Sequence, residues 1–205
     1  GFGPWALSRL ASETGGIFFV TRMDRNRIAF DPNGMREYRP DWAPRGVYEK
    51  QRDRSPLRQA VLAAARITQQ TLPGQPSLRF PSIEDPQFKE VLKANQVIVA
   101  RIDYTVAEAL VPITEAAKYR DRETSRRWQA HYDLIRGRLL AMKLRCYEFN
   151  SICAKMVKDT PKFKNPKSNA WRLVPDETNS DLGKSQAVAA EAKKLLQRVI
   201  DDHPG

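Results

Sequence analysis

Between Thr124 and Lys158, the residues Trp128, Tyr132, Ile135, Leu139, Met142, Cys146, Phe149, Cys153 and Met156 recur at alternating spacings of four and three. That is a heptad seam, and it marks one buried face of a long α-helix. A second apolar stripe, Gly137, Leu140, Leu144 and Tyr147, falls on nearly the opposite side. A helix apolar on two faces needs packing partners on both, so it belongs in the middle of its domain. At 1.5 Å per residue it is roughly 50 Å long.

A second seam precedes it. Phe88, Leu92, Asn95, Val99, Ile102, Val106, Ala109, Ile113 and Ala116 keep the same period, and Asp85-Pro86 supplies a cap and a first-turn proline. Pro112 removes one helical N–H, which predicts a kink and not an end, because the pattern continues past it. Tyr119 to Glu123 reads as a short charged turn, with Thr124 or Ser125 capping the next helix. Two long seams joined by so short a turn predict an antiparallel helical hairpin. Ser55-Pro56 opens another helix, with Leu57, Val61, Ala64 and Thr68 on one face. Pro73, Gly74, Pro76 and Pro81 rule out regular helix in the stretch that follows. Residues 159–180 read as irregular, with Asn169 to Val174 extended and docked through Trp171 and Leu173. Ser180 or Asp181 caps a last helix, whose face of Val188, Ala192, Leu195 and Val199 is the candidate cover for the second face of the central helix. The expected fold is mainly α, a long helical hairpin with packing helices, over about 55–70, 86–119, 125–158 and 181–202.

The start of the chain differs. Residues 4–13 read as a short helix stopped by Gly15-Gly16, and Ile17 to Thr21 as a strand of β-branched and aromatic residues. No other strand is expected. Residues 22–54 read as a linker with turns at Asp31-Pro32-Asn33-Gly34 and Ala43-Pro44-Arg45-Gly46. The segment from Gly1-Phe2-Gly3-Pro4-Trp5 to Gly15-Gly16-Ile17-Phe18-Phe19 resembles the last helix and last strand of a von Willebrand factor type A domain. Further motifs are Arg36-Glu37-Tyr38-Arg39-Pro40-Asp41, Asp53-Arg54-Ser55-Pro56-Leu57, Leu78-Arg79-Phe80-Pro81, Tyr132-Asp133-Leu134 and Phe163-Lys164-Asn165-Pro166. With these, most of the chain resembles the C-terminal part of planctomycete-type proteins that carry such a domain. The resemblance implies that residues 1–21 end a truncated type A domain, 22–54 link it, and 55–205 form a helical accessory domain. Type A domains hold a divalent metal through Asp-x-Ser-x-Ser. That motif is not in this sequence, so a magnesium site would belong to a missing portion, and no residue of this chain inherits it. The opening on Gly1 and the close at His203-Pro204-Gly205 fit an expectation that both ends are cut.

The formal net charge is +11, which favours anionic partners or simply solubility. Cys146 and Cys153 sit seven apart on one helix, roughly 10 Å along its axis, too far for a disulfide and suited to the core. No apolar run reaches the ~18 residues of a membrane span.

Candidate chemistry is sparse. Gly183-Lys184-Ser185 mimics the end of a nucleotide-binding loop, but position 178 is Thr where that motif needs glycine. His131 lies beside the seam of a packed helix and reads as structural. His203 sits at a frayed end, so no metal cluster is expected. The strongest hint is basic: Arg136, Arg138, Lys143 and Arg145 flank the seam, and Lys158, Lys162, Lys164 and Lys167 continue in a loop near Trp171. Such residues with interleaved aromatics can hold a phosphate backbone and stack bases. The plainer account is that long charged side chains cover the edges of any helical seam. The sequence therefore points to a non-enzymatic interaction or assembly region beside a type A domain. Polyanion binding through the basic hairpin is the first alternative, and an enzyme of unrecognised type the second.

Overall fold

The two seams face each other. In the computed structural model, which describes residues 10, 13–14, 34–38, 43–69, 74–163, 165, 167–174, 183 and 185–203, the chain is mainly helical. Its described α-helices are α1 (Arg45–Arg54), α2 (Pro56–Thr68), α3 (Asp85–Glu115), α4 (Arg126–Lys158) and α5 (Ser185–Asp202). Two compact units are distinguished, Gly1–Glu37 with Gly205 and Tyr38–Pro204. In the first, the Thr14 hydroxyl donates to the Leu10 carbonyl. The expected strand Ile17–Thr21 lies outside the described residues; of the expected type A remnant only Leu10, Glu13 and Thr14 are described, and they are helical.

In the second unit, α3 and α4 form the hairpin. Near the turn, Val106, Ala109 and Ile113 of α3 pack with Tyr132 and Leu139 of α4, and α2 closes this cluster with Leu57, Ala60, Val61 and Ala64. At the far end Phe88, Leu92 and Val99 meet Cys146, Phe149, Cys153 and Met156. Antiparallel register is pinned by polar bonds. The Tyr132 hydroxyl donates to the Ile113 carbonyl (2.9 Å), and the Gln96 amide donates to the Asn150 carbonyl (3.1 Å). Asn95, the one polar residue of the α3 seam, accepts from the Ser77 N–H (2.7 Å) and ties the incoming chain to the helix. Helix α3 runs through Pro112 to Glu115. The charged turn is longer than expected, because residues Ala116–Arg122 continue as 3-10 helix.

The other face of α4 is covered by α5, as its stripe implied. Leu140 is buried with Ala192 and Leu195. Gly137 is the point of closest approach: a Cβ there would lie 2.9 Å from both Cγ and Cδ2 of Leu196. Glycine lets the two helices touch where any side chain would push them apart.

Two stretches differ from the sequence reading. Residues 45–54 form α1 where a linker with turns is expected. Pro44 is its N-cap residue and an Arg45–Glu49 pair (2.8 Å) spans its first turn, so the Pro-Gly signal marks a helix start. Arg79–Pro81 (β1) pairs antiparallel with Ala170–Arg172 (β2), Phe80 opposite Trp171; β2 falls within the segment expected to be extended and docked through Trp171, and it is this pairing that the sequence reading lacks. Three residues are too few for a periodic signal. Burial drives the ribbon: Phe80 has no exposed surface and packs edge-on to Phe88.

Two substitutions, each with a control, test this packing. Leu139→Ala removes a buried branched side chain and should cost ~2–5 kcal/mol, whereas Arg145→Ala, at an exposed position, should leave the denaturation midpoint nearly unchanged. Gly137→Ala should lower the midpoint, since overpacking at ~1–3 kcal/mol exceeds the gain in helix propensity, while Gly46→Ala, which meets nothing within 4 Å, should not.

Candidate interaction surface

Most buried polar groups of this bundle are occupied with one another; among the described residues Asn150 Oδ1 and His203 Nε2 make no hydrogen bond. Asp133, on α4, has no exposed surface. Its carboxylate accepts from Nε and NH2 of Arg120 (3.1 and 2.5 Å), with Arg198 of α5 at 3.7 Å. Arg120 and Arg198 also reach Asp202 (3.0 and 3.2 Å). The chain then places His203 over the group. The Tyr38 hydroxyl and Nδ1 share a hydrogen bond (2.7 Å), and Nε2 faces Asp133 Oδ2 at 3.9 Å. His203 is thus tucked in, not frayed as the sequence implied, because the C-terminal end of α5 folds back onto the start of α4. Donor atoms of Asp133, Asp202 and His203 all lie within 4.8 Å of one another, a spacing a cation would accept and the sequence did not foresee. Two guanidinium groups already neutralise both carboxylates and would repel a metal ion, so the arrangement fits a structural ion-pair cluster.

A second carboxylate works the same way. Glu123 accepts from Arg58 (2.8 and 2.9 Å), from the Ser55 hydroxyl (3.0 Å) and from the Ser125 N–H (3.1 Å). Burial opposes its ionisation, but the bonds from Arg58, Ser125 and Ser55 outweigh that and hold its pKa below the usual value. It thereby joins the residue that precedes α4 to the first residues of α2. His131 stacks obliquely beside Trp128, and burial, with Arg127 nearby, pushes its pKa down. Burial raises the Cys153 thiol to about 11 and the Cys146 thiol in the same direction, which suits core residues and not nucleophiles. Gly183 is described but Lys184 is not, so the loop-like tripeptide lies partly outside the described residues.

The basic candidates separate into two groups. Arg136 is engaged by Glu191 (2.6 Å) and by the Tyr132 hydroxyl (3.2 Å), and Lys143 by Asp103 (3.3 Å). Trp171 is no free stacking platform. Phe163 stacks on it at 4.2 Å, Phe88 lies at 4.8 Å, and its indole N–H donates to the Pro161 carbonyl (3.0 Å). Arg138, Arg145, Lys158, Lys162 and Lys167 are exposed, and Lys164 lies outside the described residues.

The surface that sequence reading missed is the outer side of α3. Val97, Tyr104 and Val111 are 54%, 71% and 56% exposed and lie at heptad intervals, opposite the buried seam. Ala100, on the same side, is exposed as well. The signal was present: Val97, Ala100, Tyr104, Ala107 and Val111 keep spacings of three and four. Two small residues and a dominant second seam on the same helix hid it.

Removing one partner of a buried pair costs more than removing an exposed one. Arg120→Ala should destabilise by ~3–5 kcal/mol, since it strands Asp133, against ~0–1 kcal/mol for Arg136→Ala, both read by chemical denaturation. Burial also depresses the pKa of His203, against the pull of Asp133. The folded state therefore holds fewer protons at both histidines than the unfolded chain, and stability falls as pH drops below their ordinary value of 6.5. Melting temperatures from roughly pH 7 to 5 should fall, and less steeply in a His131→Gln/His203→Gln variant. Glu123 adds a second decline below its ordinary value of 4.5. Comparison with protein-family models, with curated proteins and with solved structures returns no match for this chain, so its function is argued from geometry.

Proposed function

We propose that this chain is a protein-assembly region, non-enzymatic, that serves a von Willebrand factor type A domain to which it is attached. The observation that carries the reading is the outer side of α3: an aligned Val97–Tyr104–Val111 stripe, exposed on a long helix whose opposite side is anchored in the core. Solvated helix faces are usually polar, and an aligned apolar stripe on a rigid helix is what helix-in-groove or helix-on-helix recognition uses. Among the described residues, the buried carboxylates Asp133 and Glu123 and the ring of His203 are committed to structural bonds, and both thiols lie in the core. No described helix is long and apolar enough to cross a membrane.

The polyanion alternative draws on Arg138, Arg145, Lys158, Lys162 and Lys167, but it loses Trp171 as a stacking surface and Arg136 and Lys143 to ion pairs.

A photo-crosslinking residue placed at Ala100, in the longest native form of the protein, should give discrete protein adducts, and one placed at Arg145 should not. Equal adducts at both positions, or none at Ala100, would remove the basis for the reading. A band shift with single-stranded DNA that weakens steeply with salt and with Arg138→Ala/Arg145→Ala would favour the polyanion alternative instead.

A further inference from the structure

The outer side of α3 is close to self-complementary about Tyr104. Val97 and Val111 lie seven residues to either side of it, and Lys93 and Glu115 eleven to either side, with opposite charge. Arg101 and Glu108 lie three before and four after, on one flank of the stripe, again with opposite charge. All of these side chains are exposed, and the four charged ones form no ion pair with a described residue. No described residue pairs with them.

We propose that this face is a self-pairing surface that joins two copies of the chain antiparallel, with a two-fold axis at Tyr104. The inference rests on the assembly reading and names its partner. Between antiparallel helices related by a two-fold axis, residues equidistant from the crossing meet, and flanks meet like flanks. Val97 then lies against the partner subunit's Val111, and Tyr104 against the partner subunit's Tyr104. Lys93 reaches the partner subunit's Glu115, and Arg101 the partner subunit's Glu108. Symmetry doubles each contact, so four ion pairs border one apolar seam. Ala100 and Ala107 lie between the larger residues and let the backbones approach. Parallel pairing would instead set opposite flanks together, so Arg101 and Glu108, which share one flank, would lose each other as partners. An unrelated partner helix would have no reason to match a charge pattern that is reversed about Tyr104.

Sedimentation velocity and light scattering on the full chain test this. The native chain should be dimeric in the micromolar range. Tyr104→Glu should weaken the dimer at least about tenfold, the factor that about 1.4 kcal/mol represents. Arg101→Glu alone sets like charges against Glu108, and Glu108→Arg alone does the same against Arg101, so each variant should be monomeric. Mixing the two single variants restores opposite charges at both contacts and should restore the dimer as a heterodimer. Circular dichroism of each variant should match the native chain, because every altered side chain is exposed. A native chain that stays monomeric, a dimer indifferent to Tyr104→Glu, or a mixture that fails to associate would each overturn the proposal. If the Ala100 adduct has a mass other than two copies of the chain, self-pairing falls while the assembly reading stands; if there is no adduct at all, both fall.

Discussion

A carboxylate with no access to water cannot stand alone in a protein interior, and Asp133 sets the terms for the elements around it. Its main partner, Arg120, comes from the 3-10 turn that links α3 to α4, so the turn is fixed against the helix it introduces. Arg198 and His203 come from the C-terminal end of the last helix, and Tyr38 holds His203 from a segment far away in sequence. One buried charge therefore gathers the hairpin turn, the central helix and the C-terminal end. Such a cluster contributes little net stability against an apolar replacement of the same shape, but it penalises any arrangement that leaves Asp133 unpaired.

The seams supply the driving force that the charge cluster directs. Helix α4 buries one side against α3 and α2 and the other against α5. On the second side the helices come close enough at Gly137 that only a hydrogen fits. The two-stranded ribbon performs a smaller version of the same task at the open end of the hairpin, where Phe80 fills the space between Phe88 and Phe149. Glu123 completes the frame by joining the start of α2 to the start of α4.

This division of labour leaves α3 with a distinctive position. Its inner side is locked in the core, so its outer side is presented on a rigid support. Apolar residues there are displayed and not mobile, and a displayed stripe loses little entropy on binding. That placement is what the proposed assembly role draws on. Of the basic candidates, Arg136 and Lys143 are held in ion pairs, and the aromatic that would have made a nucleic-acid platform is consumed by packing.

The hairpin, the two-sided central helix and the covering role of the last helix were legible in the sequence, because each is written as a period in apolar residues. Leu57, Leu92, Val106, Leu139 and Cys153 are all buried where the spacing placed them. The start of α1 was not legible, since a proline and a glycine signal a turn and a helix start alike. Nor was the ribbon, whose strands are too short to show alternation. The fates of the charged residues were hidden for a different reason. Asp133, Glu123 and Arg136 are indistinguishable in sequence from solvated charges, because an ion pair between residues 120 and 202 or 58 and 123 has no local signature. The same holds for Tyr104: spacing can say that a residue lies on an apolar stripe, but only the packed structure shows which of two stripes on one helix found a partner. Periodicity is a property of one segment, and the sequence by itself determined it; pairing is a property of two segments, and the tertiary structure alone decided it.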